Sequence, residues 1–371
     1  MKFKEIQLGN LFEAKYGKSL PKNQRRDGNI KVYGSGGISG YHDTALVKGP
    51  GIVIGRKGTV GSLYYEKQDY FPIDTTYYIE KSDKYDLKYI FYLLNTLNLN
   101  KMNTHSAVPG LNRENLYSLI AKVPEKKYQI KISEFLQQLD SKIELNNQII
   151  SNLEELASTL FKRWFVDFEF PDENGNPYKS SGGKMVDSEL GEIPEGWEIN
   201  PLSSIAKITS GKRPDVKKTN PDKDNIIPIV GASKIMGYTN QVLENGSIIT
   251  TGRVGTHGII QRYREKVWVS DNSFIIKSDT EEFLNQILLR IDYKNLNRGS
   301  TQPLITQTDL KKYKIVLPSS KFIEMFESVI SKLTECEFQI KKQNLNLEKI
   351  RDSLLPRLLS GEIELTEDEG V

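Results

Sequence analysis

The sequence has little of the residues that build disulfide frameworks and metal centres. Its 371 residues include one cysteine, Cys336, and three histidines, His42, His105 and His257. A single cysteine excludes an internal disulfide framework and a cysteine-rich zinc site. Histidines this far apart in the chain do not indicate a metal cluster, so no metal site is predicted.

Long apolar runs are also missing. No stretch approaches the roughly 20 apolar residues that cross a bilayer, and the first six residues, MKFKEI, lack the apolar core of a signal peptide. We therefore expect a cytoplasmic protein that makes no contact with a membrane.

Charge is distributed in four alternating blocks, although the net charge is only +3. Residues 1–125 carry a net charge of +6, residues 126–196 of −5, residues 197–318 of +6 and residues 319–371 of −4. We interpret the basic blocks as two globular domains and the acidic blocks as two long helices, the first with a linker. Basic domains favour a polyanionic partner, and acidic helices favour protein partners or solvent.

The two basic blocks are copies of one unit. GK with a nearby proline recurs at 17–21 and 211–214, a glycine-rich turn at 55–61 and 252–258, and a third block at 74–77 and 271–274. The offset is 194 at the start, 197 in the middle and 194 again at the end. Self-similarity over this many ordered blocks predicts a duplicated fold with a small insertion in the second copy.

Within each copy the pattern predicts mixed α and β structure. Glycine-bounded runs rich in β-branched and aromatic residues predict strands at 51–54, 62–65, 247–251 and 267–269. Helical apolar spacing occurs at 87–98 and 281–291. The predicted fold class is therefore α+β.

Each copy ends in a long helix, from about residue 128 to 168 and from 321 to 360. Seam positions step by four and three over more than four heptads, which is typical of a coiled coil. In the first helix they are Ile132, Leu136, Leu139, Ile143, Asn146, Ile150, Leu153, Ala157, Leu160 and Trp164. In the second they are Phe326, Ile330, Leu333, Glu337, Ile340, Asn344, Leu347, Arg351, Leu354 and Leu358.

One asparagine lies in each seam, although the two are not equivalent in the repeat. If the helices pack antiparallel about a pseudo-twofold axis near residue 148, Asn146 meets Asn344. A buried asparagine pair specifies the register of a coiled coil at a cost in stability. We therefore predict that this pair fixes the register.

Catalytic motifs fail on inspection. Gly17-Lys18-Ser19 lacks the earlier glycine of a phosphate-binding loop, because position 12 is Phe12. Asn176-Pro177-Tyr178 lacks the second proline of the adenine-methyltransferase tetrapeptide. The Pro-Asp steps at 171–172, 214–215 and 221–222 are not followed by a convincing Glu-x-Lys strand of a nuclease. No catalytic residue is predicted.

Binding candidates remain in the polar loops. The turns at 55–58 and 252–255 suit phosphate contact through arginine, lysine and exposed backbone N–H groups, and equally suit a structural hairpin whose glycines supply positive φ. Arginine and lysine reach guanine edges, and asparagine and glutamine reach adenine. By loop position and charge, the candidates are Arg25, Arg26, Arg56, Lys57, Thr59, Ser106, Lys212, Arg213, Lys217, Lys218, Arg253, Thr256, Arg298, Ser300, Thr301 and Gln302.

Over essentially its whole length the chain resembles a type I restriction–modification specificity subunit. The sharpest similarity lies at the two helix ends, LFKRWFVDF at 160–168 and LLPRLLSGEI at 354–363. The GSTQP block at 299–303, followed by Asp309-Leu310, and LGEIPEGW at 190–197 also resemble the family.

The resemblance implies two target-recognition domains, each reading half of a split target in double-stranded DNA. It implies that the long helices form an antiparallel coiled coil, which sets the spacing and recruits two modification subunits. Those subunits bind S-adenosylmethionine and methylate adenine, and restriction subunits add translocation and cleavage with ATP and magnesium. This chain itself would hold no cofactor.

Three alternatives stay open at this point. The chain is the specificity subunit of a related methyltransferase–nuclease system, or it carries its own nuclease or methyltransferase site, or it is a scaffold that binds no DNA.

Overall fold

The duplication in the sequence appears as two copies of one strand framework. The protein was analysed as a computed structural model, which describes residues 2–102, 110–298 and 304–365. Residues 1–147 together with 342–371 form unit 1, and residues 148–341 form unit 2. Each long helix therefore contributes one part to unit 1 and the other part to unit 2.

The described part of unit 1 contains nine strands. They are β1 (Phe3–Gln7), β2 (Lys15–Tyr16), β3 (Ile30–Gly34), β4 (Gly37–His42), β5 (Gly51–Gly55), β6 (Leu63–Glu66), β7 (Tyr70–Pro72), β8 (Thr76–Glu80) and β9 (Ile120–Pro124). They form a sheet of order β2-β8-β5-β6, a sheet of order β4-β3-β7 and a β1-β9 ladder. The β3–β7 pair is parallel and the others are antiparallel.

Unit 2 contains a hairpin in the linker and then repeats the framework. The hairpin is β10 (Met185–Ser188) with β11 (Gly191–Pro194), and the framework is β12 (Glu198–Pro201), β13 (Lys207–Ser210), β14 (Ile227–Val230), β15 (Ile235–Thr239), β16 (Ile248–Gly252), β17 (Gln261–Tyr263), β18 (Trp268–Val269), β19 (Ser273–Lys277) and β20 (Lys314–Leu317). The orders are β13-β19-β16-β17, β15-β14-β18 and β12-β20, with β14–β18 parallel. The duplicated α+β fold is confirmed.

Within the described residues there are seven α-helices. They are α1 (Leu8–Leu11), α2 (Leu87–Thr96), α3 (Arg113–Ser118), α4 (Lys126–Phe161), α5 (Glu281–Leu288), α6 (Gln307–Lys312) and α7 (Ser320–Ser360). The long helix α4 passes into a π-helical turn, Lys162–Val166. At 1.5 Å per residue, α4 and α7 are about 55 and 60 Å long. The two long helices predicted from the seams are confirmed, and all described seam positions are buried or half-buried.

Within unit 1, α4 and α7 pack antiparallel around a polar layer. Asn146 Nδ2 donates to Asn344 Oδ1 at 2.7 Å, and Asn344 Nδ2 donates to Asn147 Oδ1 at 2.9 Å. Further along, Arg351 pairs with Asp140 at 3.0 Å. Asn146 and Asn344 are 1% and 7% exposed. The two asparagines expected to meet are thus in contact, and their role in fixing the register stays a prediction.

Within unit 2, the other parts of α4 and α7 pack around an aromatic cluster. Phe161, Phe165, Phe283 and Phe326 lie with ring centroids 4.9–5.8 Å apart, and Phe326 is completely buried. The cluster joins both long helices to α5, because Phe283 belongs to that helix. Aromatic pairs of this geometry contribute beyond their buried area.

A carboxyl group of α7 caps the short helix α5 and carries a perturbed pKa. Glu327 accepts a hydrogen bond from the backbone N–H of Phe283 at 2.7 Å. Burial, together with the nearby carboxylates of Glu282 and Glu281, raises the pKa of Glu327 to about 7 against the opposing backbone hydrogen bonds. The folded state therefore holds this proton more tightly than the unfolded state, and stability falls as pH rises from about 4.5 to 7.

We predict that Glu327→Gln raises the free energy of unfolding at pH 8 and leaves it nearly unchanged at pH 5. Glutamine keeps the carbonyl acceptor for Phe283 and removes the charge. Because the side chain is only partly buried, solvent screening limits the gain to on the order of 1 kcal/mol. Urea denaturation at both pH values measures it, with exposed Glu324→Gln as control. An equal change at pH 5 and pH 8 would refute the assignment.

Candidate nucleic-acid interface

The turn that follows β5 in unit 1 has the same geometry as the turn that follows β16 in unit 2. In unit 1 it places Gly58 and Gly61 at φ of 80° and 73°, and in unit 2 Gly255 and Gly258 at 80° and 75°. A side chain at any of these positions would be strained, because positive φ favours glycine. The glycines therefore serve the backbone of a tight, conserved-shape turn in each copy.

Three backbone N–H groups of these turns are bonded within the chain. Arg56 N and Lys57 N donate to the Thr75 carbonyl at 2.9 and 3.2 Å, and Arg253 N donates to the Asn272 carbonyl at 2.8 Å. The expectation of exposed N–H groups for phosphate is wrong for these three residues, because the turn is bonded to the loop before the next strand.

The side chains on the turns divide into anchored and exposed groups. Arg56 Nη2 donates to the Asp74 carbonyl at 3.1 Å, and Arg253 Nη1 donates to the Asp271 carbonyl at 3.4 Å. The remaining candidates there, Lys57, Thr59 and Thr256, are exposed. The two arginines thus make equivalent contacts in the two units and present positive charge beside exposed polar residues.

The Arg25-Arg26 pair lies along the β3–β4 hairpin. Arg25 Nη1 donates to the Ser39 carbonyl at 2.7 Å and lies against Gly40, where any Cβ would fall 2.6 Å from it. Arg26 forms a two-bonded ion pair with Asp43, at 2.6 and 3.0 Å. Hydrogen bonds from Arg26 and then Thr44 lower the pKa of Asp43 to about 2. Arg26 is therefore locally neutralised.

In unit 2 the loop equivalent to the one carrying Arg25 and Arg26 lines a cleft of about 550 Å³. Its polar lining includes Arg213, Asp215 and Lys217 from one loop and Ser270 and Asn272 from the turn before β19. Arginine, lysine and asparagine together with a carboxylate are the groups that recognise base edges. This cleft brings together two of the sequence candidates, Arg213 and Lys217.

The other lysines of that loop are exposed, although their backbones are engaged. The Lys212 N–H donates to the Val269 carbonyl, and the Lys212 carbonyl accepts from the Trp268 indole at 2.7 Å. Lys218 exchanges backbone hydrogen bonds with Tyr238. Both side chains extend from a loop whose backbone is hydrogen-bonded to the strands beside it.

The last candidates lie in or beside residues 103–109 and 299–303, which the structure does not describe. Arg298 pairs with Asp309 while its side chain stays 68% exposed. Ser106, Ser300, Thr301 and Gln302 lie outside the described residues. No geometry is assigned to these four.

Two of the three aspartates considered as nuclease starts, Asp172 and Asp222, act as turn caps, whereas Asp215 accepts from the Gln241 side chain at 2.9 Å. Asp172 Oδ1 accepts from the backbone N–H groups of Asn174 and Asn176 at 2.8 Å. Asp222 Oδ1 accepts from the backbone of Asn225 in the same way, at 2.8 Å. Such Asx turns are ordinary loop chemistry. In residues 2–102, 110–298 and 304–365 there is also no group of three metal-ligating side chains, and no helix there is long and apolar enough to cross a membrane.

Three residues near the candidates were not predicted from the sequence: Tyr16 and Arg113 in unit 1, and Asn272 in unit 2. Tyr16 and Arg113 lie 4.9 Å apart, ring centroid to guanidinium, although 97 positions separate them in the chain. Asn272 aligns with Thr75 in the repeat, so a comparison of the two copies at positions that differ is the signal that finds it.

Known proteins show where this framework occurs. The family model described as "Type I restriction modification DNA specificity domain" matches residues 1–155 and again residues 194–348. The MjaIX specificity subunit of Methanocaldococcus jannaschii is 27% identical over 76% of this chain and 70% of its own length. The HindI specificity subunit of Haemophilus influenzae is 26% identical over 69% of this chain and 71% of its own length.

A solved structure shares the fold. The type I restriction–modification S subunit from M. genitalium matches with a TM-score of 0.66 at 18% identity, covering 99% of this chain and 97% of that chain. The two family matches coincide with the two copies of the framework. The chain therefore belongs to the family of type I restriction–modification DNA specificity domains.

Proposed function

We propose that this chain is the DNA-recognition subunit of a type I restriction–modification complex and that each unit reads one half of a bipartite target. The observation that carries the proposal is one backbone framework with different polar groups on equivalent loops. Unit 1 presents Arg25 on the loop before β3, whereas unit 2 presents Arg213 and Lys217 on the equivalent loop before β14, with Asn272 where unit 1 has Thr75. Equal frameworks with unequal polar loops suit two different half-sites.

The chemistry belongs to partners in this proposal. Two modification subunits bind S-adenosylmethionine and methylate adenine in the target that this chain selects. Restriction subunits use ATP and magnesium to translocate and cleave. This chain recognises the target sequence and assembles the complex, and it acts in the cytoplasm, where its DNA lies.

Exposed apolar side chains on the long helices support a protein partner. In unit 1, Leu145, Leu345 and Ile350 are 46–57% exposed. In unit 2, Leu156 and Val329 are 53% and 45% exposed. Contiguous exposed apolar side chains mark protein interaction sites. In each unit separately, we assign the exposed apolar residues of the long helices to a contact with a modification subunit.

The salt dependence of binding tests the proposal against a scaffold that does not bind DNA. The chain is produced with its modification subunits, and duplex affinity is measured at 50 and 200 mM salt. A protein with roughly 6–10 phosphate contacts loses about 10³–10⁵ in affinity over this range. Absence of duplex binding, or binding that salt leaves unchanged, would contradict the proposal.

A substitution on the unit 1 turn tests one backbone contact. Lys57→Ala should weaken binding by a similar factor on target and unrelated duplexes and reduce the salt slope by about one, because Lys57 is exposed beside Arg56. Lys122→Ala, an exposed lysine on the β1-β9 ladder, is the matched control. Equal affinities for Lys57→Ala and Lys122→Ala would remove Lys57 from the interface.

A further inference from the structure

Two arginines of unit 1 enclose one tyrosine. The Arg56 guanidinium lies 5.1 Å from the ring centroid of Tyr16, and the Arg113 guanidinium lies 4.9 Å from the same ring. Tyr16 is 46% exposed, although large aromatic side chains are usually much more buried. The three side chains come from β2, the turn after β5 and the start of α3.

Backbone contacts hold this cluster together. The Leu111 N–H donates to the Arg56 carbonyl at 2.8 Å, which joins the segment before α3 to the turn. The hydroxyl of buried Tyr77 donates to the Leu111 carbonyl at 3.0 Å, and its ring packs edge-on against Tyr16 at 5.0 Å. Asn112 caps α3 by accepting from the Glu114 N–H at 2.8 Å. The spacing of the two guanidinium groups is therefore set by the fold.

The two guanidinium groups have no carboxylate partner in the described residues, whereas six of the other eleven arginines have one. Arg26, Arg262, Arg264, Arg298, Arg351 and Arg357 each pair with an aspartate or glutamate. Across the described ranges, neither Arg56 nor Arg113 makes such an ion pair, and the Nε atom of each is buried without a hydrogen-bond partner. Two uncompensated positive charges beside one ring repel each other and favour an anion.

A basic cleft adjoins the cluster. Arg113 lines a surface cleft of about 560 Å³ with Lys15, Lys81 and Lys84. Glu13 and Glu80 also line it, and Glu80 is paired with Lys15. The remaining cations extend the positive surface from Arg113 along the unit.

Unit 2 folds the same framework without this cluster. At the positions of Tyr16, Arg56 and Arg113 it has Ser210, Arg253 and Gln307. The Gln307 side chain donates to the Ile208 carbonyl at 2.6 Å. Because the same sheet order and turn form around serine and glutamine, the fold does not require the arginine–tyrosine–arginine stack.

We propose that Arg56, Tyr16 and Arg113 form a clamp for a DNA backbone phosphate that exists in unit 1 and not in unit 2. Planar guanidinium groups bind phosphate through paired N–H donors, and stacking on an aromatic ring holds them in place. Tyr16 acts as a positioning residue between the two arginines. A contact of this kind adds affinity and orientation without reading sequence. The clamp rests on the proposed DNA-recognition function.

The test uses the full chain in complex with its modification subunits and two duplexes of equal length, one containing the methylated motif and one without it. Arg113→Gln keeps much of the packing on Tyr16 and removes the charge. We expect a roughly fivefold to tenfold loss of affinity on both duplexes and a salt slope smaller by about one. Tyr16→Ala should give a similar uniform loss, and Tyr16→Phe should bind like the unaltered complex.

Gln307→Ala in unit 2 is the matched control and should leave affinity unchanged. Thermal unfolding shows whether each variant is folded, and Tyr16→Phe against Tyr16→Ala gives a second comparison if Arg113→Gln is unstable. Unchanged binding by Arg113→Gln, or a loss confined to the duplex with the motif, overturns the phosphate clamp while the proposed function stands. If the unaltered complex binds neither duplex, the proposed function fails and the clamp fails with it.

Discussion

Replacing Arg262 with methionine should lower the free energy of unfolding by about 3–5 kcal/mol. Its guanidinium, 13% exposed, donates to Glu281 at 3.0 Å and twice to Glu282 at 2.8 Å. The Glu282 side chain is only 5% exposed; it also accepts from the Thr334 hydroxyl at 2.8 Å and lies 3.8 Å from Arg264. Without Arg262 this buried carboxylate loses its hydrogen-bonded countercharge, and that desolvated charge is the source of the cost.

Chemical denaturation of three variants separates this cause from lost packing. Arg262→Met combined with Glu282→Leu should recover most of the loss, because apolar replacement of a whole buried ion pair is often neutral. Arg357→Met should cost less than about 1 kcal/mol, since Arg357 and its partner Glu362 are 46% and 60% exposed. A double variant as unstable as Arg262→Met alone would show that the buried charge is not the reason.

Unit 1 has different side chains at the equivalent contact between its globular part and the long helix. By the repeat, Arg262, Glu282 and Thr334 correspond to Tyr65, Lys88 and Asp140. There the Lys88 ammonium lies 4.2 Å from the Tyr65 ring, and burial lowers the pKa of Lys88. Asp140 accepts from the Tyr92 hydroxyl and pairs with Arg351. The join between globular part and long helix is thus acidic on α5 and basic on α2, so the two copies are not interchangeable there.

Asn146→Leu should lower the free energy of unfolding by about 1–3 kcal/mol, because it leaves the buried amide of Asn344 without its 2.7 Å donor. The double variant with Asn344→Leu should regain this stability or exceed that of the unaltered chain. Buried asparagines specify register at a cost in stability. In cells, the double variant should methylate sites with more than one gap length.

Stability measured by denaturation and sequencing of methylated sites test the two halves of this prediction separately. Asn152→Leu alone is the control, since Asn152 is an exposed residue of α4. A double variant that is less stable than Asn146→Leu would contradict the energetic argument. A single, unchanged gap length would contradict the role in register.

The features that could be predicted from the sequence are those that periodicity and self-similarity encode. The seams predicted α4 and α7, and the pseudo-twofold argument brought Asn146 to Asn344, which sequence equivalence alone would have aligned with Ile150. The positions of four strands followed from glycine-bounded apolar runs, with ends at most one residue away from those observed. Both signals are local or repeated, so one chain suffices to detect them.

Pairings between distant side chains were out of reach. Arg26 looked free because Asp43 lies on the end of the next hairpin, and no pattern relates the two positions. The N–H groups of Arg56 and Lys57 looked available because the acceptor, the Thr75 carbonyl, belongs to another strand connection. Tyr16 and Arg113 meet only after the sheet has formed. Sheet order decides such contacts, and strand propensity does not encode it.

In our interpretation, one chain carries two DNA-reading units of different specificity on one repeated framework. The most direct test is sequencing that detects modified bases, applied to DNA from cells that express this chain with its modification subunits. We expect methylated adenines in a motif of two defined segments, which differ from each other and are separated by an unspecified gap of constant length. A continuous motif, two identical half-sites, or no methylation that depends on this chain would contradict it.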